Sequence, residues 1–187
     1  MVDRILDAGT RVLIADGYEN ASTNRVAKEA GVSPGSVYQY FRDKDAIVLS
    51  VSERYAERFA REMTATAEQI FDAPPRVAVR TLITGALDVL GGNPELVRVL
   101  VEQTPRMGGL PTLVAFQQRI ADLARIYLAV HRDEVRALDP DTSLWLVVQV
   151  GQQLIVRYVL DRPPIPRERF VDEMTELILG YLGVPAS

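Results

Sequence analysis

The sequence contains no cysteine and a single histidine, His131. Without cysteine the chain can form neither a disulfide framework nor a thiolate metal site. One histidine alone does not supply the ligands of a histidine-based zinc site. We therefore expect no metal and no cofactor, and a fold that is stabilised by a hydrophobic core.

Long apolar runs are also missing. No stretch of about 18 consecutive apolar residues occurs, so we expect no membrane-spanning helix. The N-terminal segment M-V-D-R-I-L-D includes acids where a signal peptide has its apolar region. These absences favour a cytoplasmic protein without a membrane partner.

Positive charge is not in excess, either over the whole chain or over its first 45 residues. The chain has 21 Lys and Arg against 25 Asp and Glu, a net charge of −4 and a pI of about 5.1. Within residues 1–45, six basic side chains are outnumbered by seven acids. This balance excludes a protein that coats nucleic acid through bulk charge. Binding to DNA would have to rest on individually placed residues.

The chain does have a strong helical pattern and ample apolar surface. Hydrophobic residues make up 48% of its 187 positions, enough for a substantial core. Apolar residues recur at helical spacing, and neither a period of two nor an internal repeat is visible. Proline and glycine clusters mark the breaks. We predict an all-α fold of about nine helices, over residues 3–17, 22–31, from 34, 43–70, 75–90, 94–104, 111–137, 141–160 and 166–182.

The segment from Ser22 to Lys44 carries the clearest motif. It reads as two short helices joined by a tight turn, Gly31-Val32-Ser33-Pro34-Gly35, and followed by the start of a third helix. Val37 and Phe41 lie at helical spacing after the turn, which predicts that both belong to the core. Small polar and aromatic side chains stand between them, a mixture that is typical of a helix placed against nucleic acid.

Over residues 4–47 the chain resembles the TetR family of transcriptional regulators. The matching residues are R-I-L-D-A-G near the start, then Gly17-Tyr18, then S-T-x-x-V-A-x-x-A-G-V-S-x-G-S-V-Y-x-Y-F-x-x-K-D-A-I. The resemblance implies a DNA-binding domain over residues 1–45 and a helical ligand-binding and dimerisation domain over 46–187, joined by a helix at about 44–70. Only Met1, Val2 and Asp3 precede Arg4, so we expect no basic arm in the minor groove.

The resemblance also implies which residues meet DNA. Gln39 is the expected base reader, because a carboxamide can pair with adenine at two positions. Lys44 is expected to contact phosphate, and a functional role is favoured because a cation in the first turn of a helix opposes the helix dipole. Hydroxyls, phenols and helix-end amides complete the expected set, which is Ser22, Thr23, Asn24, Ser33, Pro34, Gly35, Ser36, Tyr38, Gln39, Tyr40 and Lys44.

The family dimerises through its last two helices. Two copies of the motif about 34–36 Å apart would read a palindromic operator of double-stranded DNA. The expected homodimer interface is Leu144, Val148, Gly151, Ile155, Phe170, Met174, Leu177, Ile178 and Tyr181.

The other face of the eighth helix is expected to line an effector pocket. A repressor of this type would leave its operator when a small, mostly apolar molecule binds there. The candidate pocket residues are Leu82, Ala86, Phe116, Leu123, Tyr127, Trp145, Gln149, Gln152 and Arg157.

Two other classes remain open. An enzyme would need His131, which lies in a charged helix end and is expected to be a solvated surface residue, and no nucleophile elbow or phosphate loop occurs. A helical adaptor or ligand-binding protein without DNA activity fits the acidic pI, but leaves the surface from Ser33 to Lys44 unexplained.

Overall fold

The computed structural model describes residues 1–108, 110–133, 135 and 139–184, with side chains described for all of these except 110–117, 119 and 140. Over this part of the chain the fold is helical throughout, as predicted. It consists of nine α-helices and one 3₁₀ helix, η1: α1 Val2–Asn20, α2 Thr23–Ala30, α3 Pro34–Tyr38, α4 Lys44–Gln69, α5 Pro75–Gly91, α6 Pro94–Gln103, η1 Thr104–Met107, α7 Leu110–Val130, α8 Pro140–Asp161 and α9 Arg167–Tyr181.

Local sequence signals explain most helix ends. The Ser22 hydroxyl accepts the Arg25 N–H at the start of α2, and the Asp43 carboxylate accepts the Ala46 N–H at 2.8 Å at the start of α4. Helix α2 ends at Gly31, whose φ of 62° is left-handed. Proline occupies the first helical position of α3, α5, α6 and α8, where its missing N–H costs no hydrogen bond.

Two predicted boundaries need correction. The first helix was predicted to end at Gly17; the helix is interrupted there, but helical structure resumes and reaches Asn20. The φ of 71° and ψ of 177° at Gly17 belong to a region that only glycine occupies readily. Helix α7 ends at Val130 instead of 137, and residues 131–133 form a bend and turn. The charged sequence after Val130 contains no glycine or proline, so nothing in it marked this end.

The chain forms two compact units, the first made of residues 1–57 and 93–114 and the second of residues 58–92 and 115–187. The core of the first unit combines α1 to α3 and the start of α4 with Leu96, Val99 and Leu100 of α6. A buried hydrogen bond of 3.0 Å from the Thr104 hydroxyl to the Ser52 hydroxyl adds a polar link between η1 and α4. The helix-turn-helix segment is therefore packed into a unit larger than the predicted domain 1–45.

In the second unit α5 packs against both α8 and α9. Three ion pairs connect α5 to α9 in antiparallel order: Arg76 with Glu176, Arg80 with Asp172, and Asp88 with Arg167. All six side chains are substantially exposed, so the pairs fix the register of the two helices more than they add stability. Val171, Met174 and Leu179 of α9 are buried.

Helix α8 has a high mean hydropathy, although polar residues interrupt its apolar sequence. Residues Asp141–Asp161 reach a mean hydropathy of 1.2, which by length and composition would allow a membrane-spanning helix. The prediction from uninterrupted runs overlooked this. A helix that lies in a protein core meets the same test, and Gln149, Gln152 and Arg157 interrupt the apolar sequence.

Candidate nucleic-acid interface

Three consecutive side chains project into solvent at the end of α3. Tyr38 is 54% exposed and Tyr40 50% exposed, and Gln39 between them is exposed as well. Val37 and Phe41, on either side, are buried in the core of the first unit, as predicted. Neighbouring exposed aromatic side chains of this kind are typical of an interaction surface.

A residue at the start of α2 holds one side chain of this surface in place. Thr23 is only 8% exposed, and its hydroxyl lies 2.9 Å from the phenol oxygen of Tyr38. Thr23 therefore orients Tyr38, a structural role that comes in addition to its expected contact with phosphate. Ser22 is half-buried and Asn24 exposed, and the Ser22 hydroxyl still has its hydrogen to donate because it only accepts from the Arg25 N–H.

At the start of α3 the polar groups bond to one another. The Ser33 hydroxyl accepts the Ser36 N–H at 3.1 Å and lies 2.9 Å from the Ser36 hydroxyl. Ser33, Pro34 and Gly35 are exposed and Ser36 is half-buried. The expectation that this helix end offers free N–H groups is thus corrected for Ser36, whose N–H is capped by Ser33, while Pro34 has no N–H.

Lys44 has a structural partner that the sequence did not reveal. Its ammonium group donates a 3.1 Å hydrogen bond to the carbonyl of Tyr18 and lies 4.0 Å from the centre of the Tyr18 ring. The Tyr18 phenol donates in turn to the Asp45 carboxylate at 2.8 Å. Lys44 therefore stabilises the junction of α1 with α4, which explains its position without DNA; two N–H donors of the ammonium remain.

The hydrogen bond to Asp45, assisted by burial, raises the pKa of Tyr18 to about 12. Because the folded protein holds this proton more tightly than the unfolded chain, the bond contributes stability that is present below pH 10 and lost as the pH rises toward 12. In an ultraviolet titration of the seven tyrosines, we expect Tyr18→Phe to remove a phenol that ionises at about pH 12. Identical titration curves for the variant and the wild type, apart from amplitude, would contradict this.

Most arginines of the first unit are already paired with acids. Arg11 bonds to Glu29 and Arg25 to Asp16, each at 2.6 Å. Arg42 pairs with Asp43 and Arg54 with Asp7. Lys28 is exposed, and no acid among the described residues pairs with it. The local field that DNA would meet is therefore weak, in agreement with the charge count.

Arg4 bonds to the turn of the motif, a role that the sequence did not indicate. Its Nε donates to the carbonyl of Ala30 at 2.7 Å, and one terminal nitrogen donates to the carbonyl of Gly31 at 2.6 Å. These carbonyls end α2 and begin the turn to α3. The only available sequence signal was a cation one helix away, which spacing alone cannot connect to the turn.

The expected dimer face of α8 and α9 is mostly core within one protomer. Leu144, Gly151, Ile155, Met174 and Ile178 are buried, and the ring of Phe170 stacks on Tyr158 with ring centres 4.1 Å apart. Val148 is half-buried, and only Leu177 and Tyr181 are exposed, at 51% and 50%. A Cβ at Gly151 would meet nothing within 4 Å, so the close helix approach expected there is not found within the protomer.

The expected pocket face is in part the outer surface of the second unit. Trp145 is 60% exposed, and Arg157 is exposed and pairs with Asp161 at 3.7 Å, so neither lines an enclosed cavity in this unit. Ala86 is buried, while Leu82, Leu123, Tyr127, Gln149 and Gln152 are half-buried. The side chain of Phe116 lies outside the described residues. Helix α8 is apolar on both faces, so burial within one protomer differs from what the sequence led us to expect for each face.

His131 is not a solvated surface residue. Its ring stacks on Tyr127 with ring centres 4.3 Å apart, and its Nε2 lies 3.1 Å from the carbonyl oxygen of Phe71. The Tyr127 phenol donates to the neighbouring Ala73 carbonyl at 2.6 Å. Both side chains thus fasten the end of α7 to the turn between α4 and α5.

A short helix pair with a glycine turn, whose second helix exposes polar and aromatic side chains, defines a helix-turn-helix protein. Two family models give the same result. Residues 5–51 match the bacterial regulatory proteins of the tetR family, and residues 74–182 match the tetracyclin repressor-like C-terminal domain. The chain belongs to the TetR family, and its class is that of DNA-binding transcriptional regulators.

Curated relatives are distant in sequence. The fatty acid metabolism regulator protein of Bacillus subtilis (strain 168) is 25% identical over 127 residues, which cover 68% of this chain and 62% of the relative. The HTH-type transcriptional repressor DhaR of Mycobacterium sp. (strain GP1) is 23% identical over 184 residues, with 94% and 90% covered. The match spans about 60% of the length of several of these relatives.

Solved structures agree in fold. The fatty acid degradation regulator FadR from Bacillus halodurans gives a TM-score of 0.73 at 18% identity, covering 98% of this chain and 97% of that chain. The multidrug binding protein EbrR, complexed with imidazole, gives 0.73 at 24% identity, covering 100% and 97%. At these identities the likeness establishes the architecture and leaves effector and operator to other arguments.

Proposed function

We propose that this chain binds a palindromic operator as a homodimer through the surface formed by Tyr38, Gln39 and Tyr40, and acts as a repressor. The observation that carries the proposal is the outward position of these three side chains, held between buried Val37 and Phe41. Phenols suit phosphate oxygens and thymine methyl groups, and the carboxamide of Gln39 suits a base edge. Ser22, Asn24 and Lys44 supply further phosphate contacts in this proposal.

Exposed apolar residues on the last two helices support the homodimer. Trp145, Val150 and Leu154 of α8 and Leu177 and Tyr181 of α9 are large and solvent-exposed in one protomer. Aromatic residues are enriched in subunit interfaces, where such side chains are shielded from water. The proposed interface is therefore this exposed set, which replaces the residues that are buried within the protomer.

A small, mostly apolar effector is the proposed signal for release. The second unit matches a tetracyclin repressor-like domain, and a protein of the same fold is named as multidrug binding. Half-buried Leu82, Leu123, Tyr127 and Gln152 are the candidate contacts. The effector would lower operator affinity by its preference for a conformer in which the two recognition helices are wrongly spaced. The chain passes between the two units within α4, which is the proposed lever.

Catalysis is not part of the proposal, and the proposed compartment is the cytoplasm, where the operator is. The family is one of transcriptional regulators. The single histidine is bound to a backbone carbonyl and stacked on a tyrosine, contacts that fasten α7 to the turn between α4 and α5.

Selection of duplexes from a random pool tests the proposal. The expected product is an inverted repeat whose half-sites are about one helical turn apart, 34–36 Å. Gln39→Ala should select the same repeat with one base pair per half-site relaxed, because the variant lacks only the carboxamide that reads that base. No enrichment by the wild type would reject DNA binding and favour an adaptor, and an unchanged consensus for Gln39→Ala would reject its role as base reader.

A further inference from the structure

We infer that Arg4 is a positioning residue for DNA reading: its guanidinium holds the turn between α2 and α3 and so sets the direction of the recognition helix. This inference rests on the proposed function. It begins with the end of α2, where the last carbonyls of a helix lack partners within the helix.

The hydrogen bonds at this end of α2 show what Arg4 contributes. Val32 N–H donates to the Ala27 carbonyl at 3.0 Å, and Gly31 N–H donates to the Lys28 carbonyl at 3.1 Å. This is the backbone pattern of a left-handed glycine cap, and it leaves the carbonyls of Ala30 and Gly31 unused. Arg4 donates a hydrogen bond to each of them, at 2.7 Å to Ala30 and 2.6 Å to Gly31, through two nitrogens of its planar guanidinium group.

Geometry and charge favour the same arrangement. A cation at the C-terminal end of a helix is stabilised by the helix dipole, and a two-donor fork restricts the orientation of the acceptors. The fork is anchored in α1 by its neighbour Ile5, which is fully buried. Gly31 lies two residues before Ser33, the N-cap of α3, so a rotation at Gly31 would redirect Tyr38 and Gln39.

Arg11 provides the matched control. It also reaches from α1 to α2, by a 2.6 Å bond, but its acceptor is the exposed carboxylate of Glu29 instead of the backbone of the turn. Arg4→Gln and Arg11→Gln therefore remove the same charge; the first removes two hydrogen bonds to the end of α2 and the turn, and the second removes one to a side chain of α2. Only Arg4→Gln removes hydrogen bonds to the backbone of the turn.

The experiment measures affinity for the selected operator and for a scrambled duplex, at several salt concentrations. For Arg4→Gln we expect the ratio of operator to scrambled affinity to fall about tenfold or more, since charge-assisted hydrogen bonds are removed at both half-sites. Scrambled-DNA affinity should change little, because non-specific binding does not need the recognition helix in register. Arg11→Gln should keep the ratio within about twofold.

Other results would overturn the inference in distinct ways. Equal losses on both duplexes with a shallower salt slope would make Arg4 a phosphate ligand. An unchanged ratio for Arg4→Gln would remove it from DNA reading altogether. Arg4→Lys keeps the charge but not the two-donor fork, so its ratio of operator to scrambled affinity should lie between those of the wild type and Arg4→Gln. This variant provides the test if Arg4→Gln fails to fold. Failure of the wild type to discriminate the two duplexes would instead reject the proposed function.

Discussion

Replacing Tyr38 by alanine should reduce operator affinity about a hundredfold while leaving the protein folded. The side chain is 54% exposed, so its loss removes little core packing. A phenol that donates to phosphate makes a charge-assisted hydrogen bond, and the proposed dimer presents it twice; two such bonds account for a loss of this size. Fluorescence anisotropy with the selected operator measures the change.

The salt dependence and two further variants separate the possible causes. Because no cation is removed, the log–log salt slope of Tyr38→Ala should equal that of the wild type, whereas Lys44→Ala should lower the slope by about 0.9 for each phosphate that the lysine neutralises. Tyr38→Phe keeps the ring but not the hydroxyl, so its operator affinity should lie between those of the wild type and Tyr38→Ala. Thr23→Val removes the partner of the phenol and should cost less than Tyr38→Ala. Operator affinity of Tyr38→Ala within about twofold of the wild type would exclude Tyr38 from the interface.

Replacing Gly9 by valine should destabilise the protein by about 2–3 kcal/mol, the upper part of the usual range for overpacking a core. A Cβ at this position would lie 2.8 Å from Cγ2 of Ile47, closer than real Cβ contacts allow. Ile47 is 2% exposed and belongs to the core of the first unit, so it cannot move into solvent. The crossing of α1 and α4 would have to open, which denaturant unfolding followed by circular dichroism detects.

Gly180→Val is the matched control for Gly9→Val. Gly180 is exposed within α9, and a Cβ there would meet nothing within 4 Å. Valine has a better helix propensity than glycine, so this variant should be as stable as the wild type or slightly more stable. Equal destabilisation by the two variants would show that the effect comes from valine in a helix and not from the clash with Ile47.

The helix order could be predicted from sequence because each signal was local. Ser22, Asp43 and the proline starts act within one turn of their own helix, and Gly31 takes the left-handed conformation that its position at the end of α2 requires. The family assignment followed from residues 4–47 and is confirmed by the match over residues 5–51. Burial of Val37 and Phe41 and exposure of Gln39 followed from helical spacing.

The roles of individual side chains depended on contacts that spacing does not report. Lys44 bonds to Tyr18, 26 positions earlier, and Arg4 bonds to Ala30 and Gly31, 26 and 27 positions later. Helix α8 is apolar on two faces, so periodicity could not decide which one packs on α5. The apolar face that is buried in the protomer was assigned to a partner, and the exposed face with Trp145 was assigned to a pocket.

Hydrogen exchange of the whole chain with and without the selected operator tests the central claim most directly. The surface formed by Tyr38, Gln39 and Tyr40 lies in residues 22–44, so peptides from this segment should show the largest protection when the operator is saturating. The exchange of peptides from α5 and from the ion-paired part of α9 should change little. Saturating operator that leaves residues 22–44 unprotected, with protection elsewhere in the chain, would contradict the assignment of this surface as the DNA-reading site.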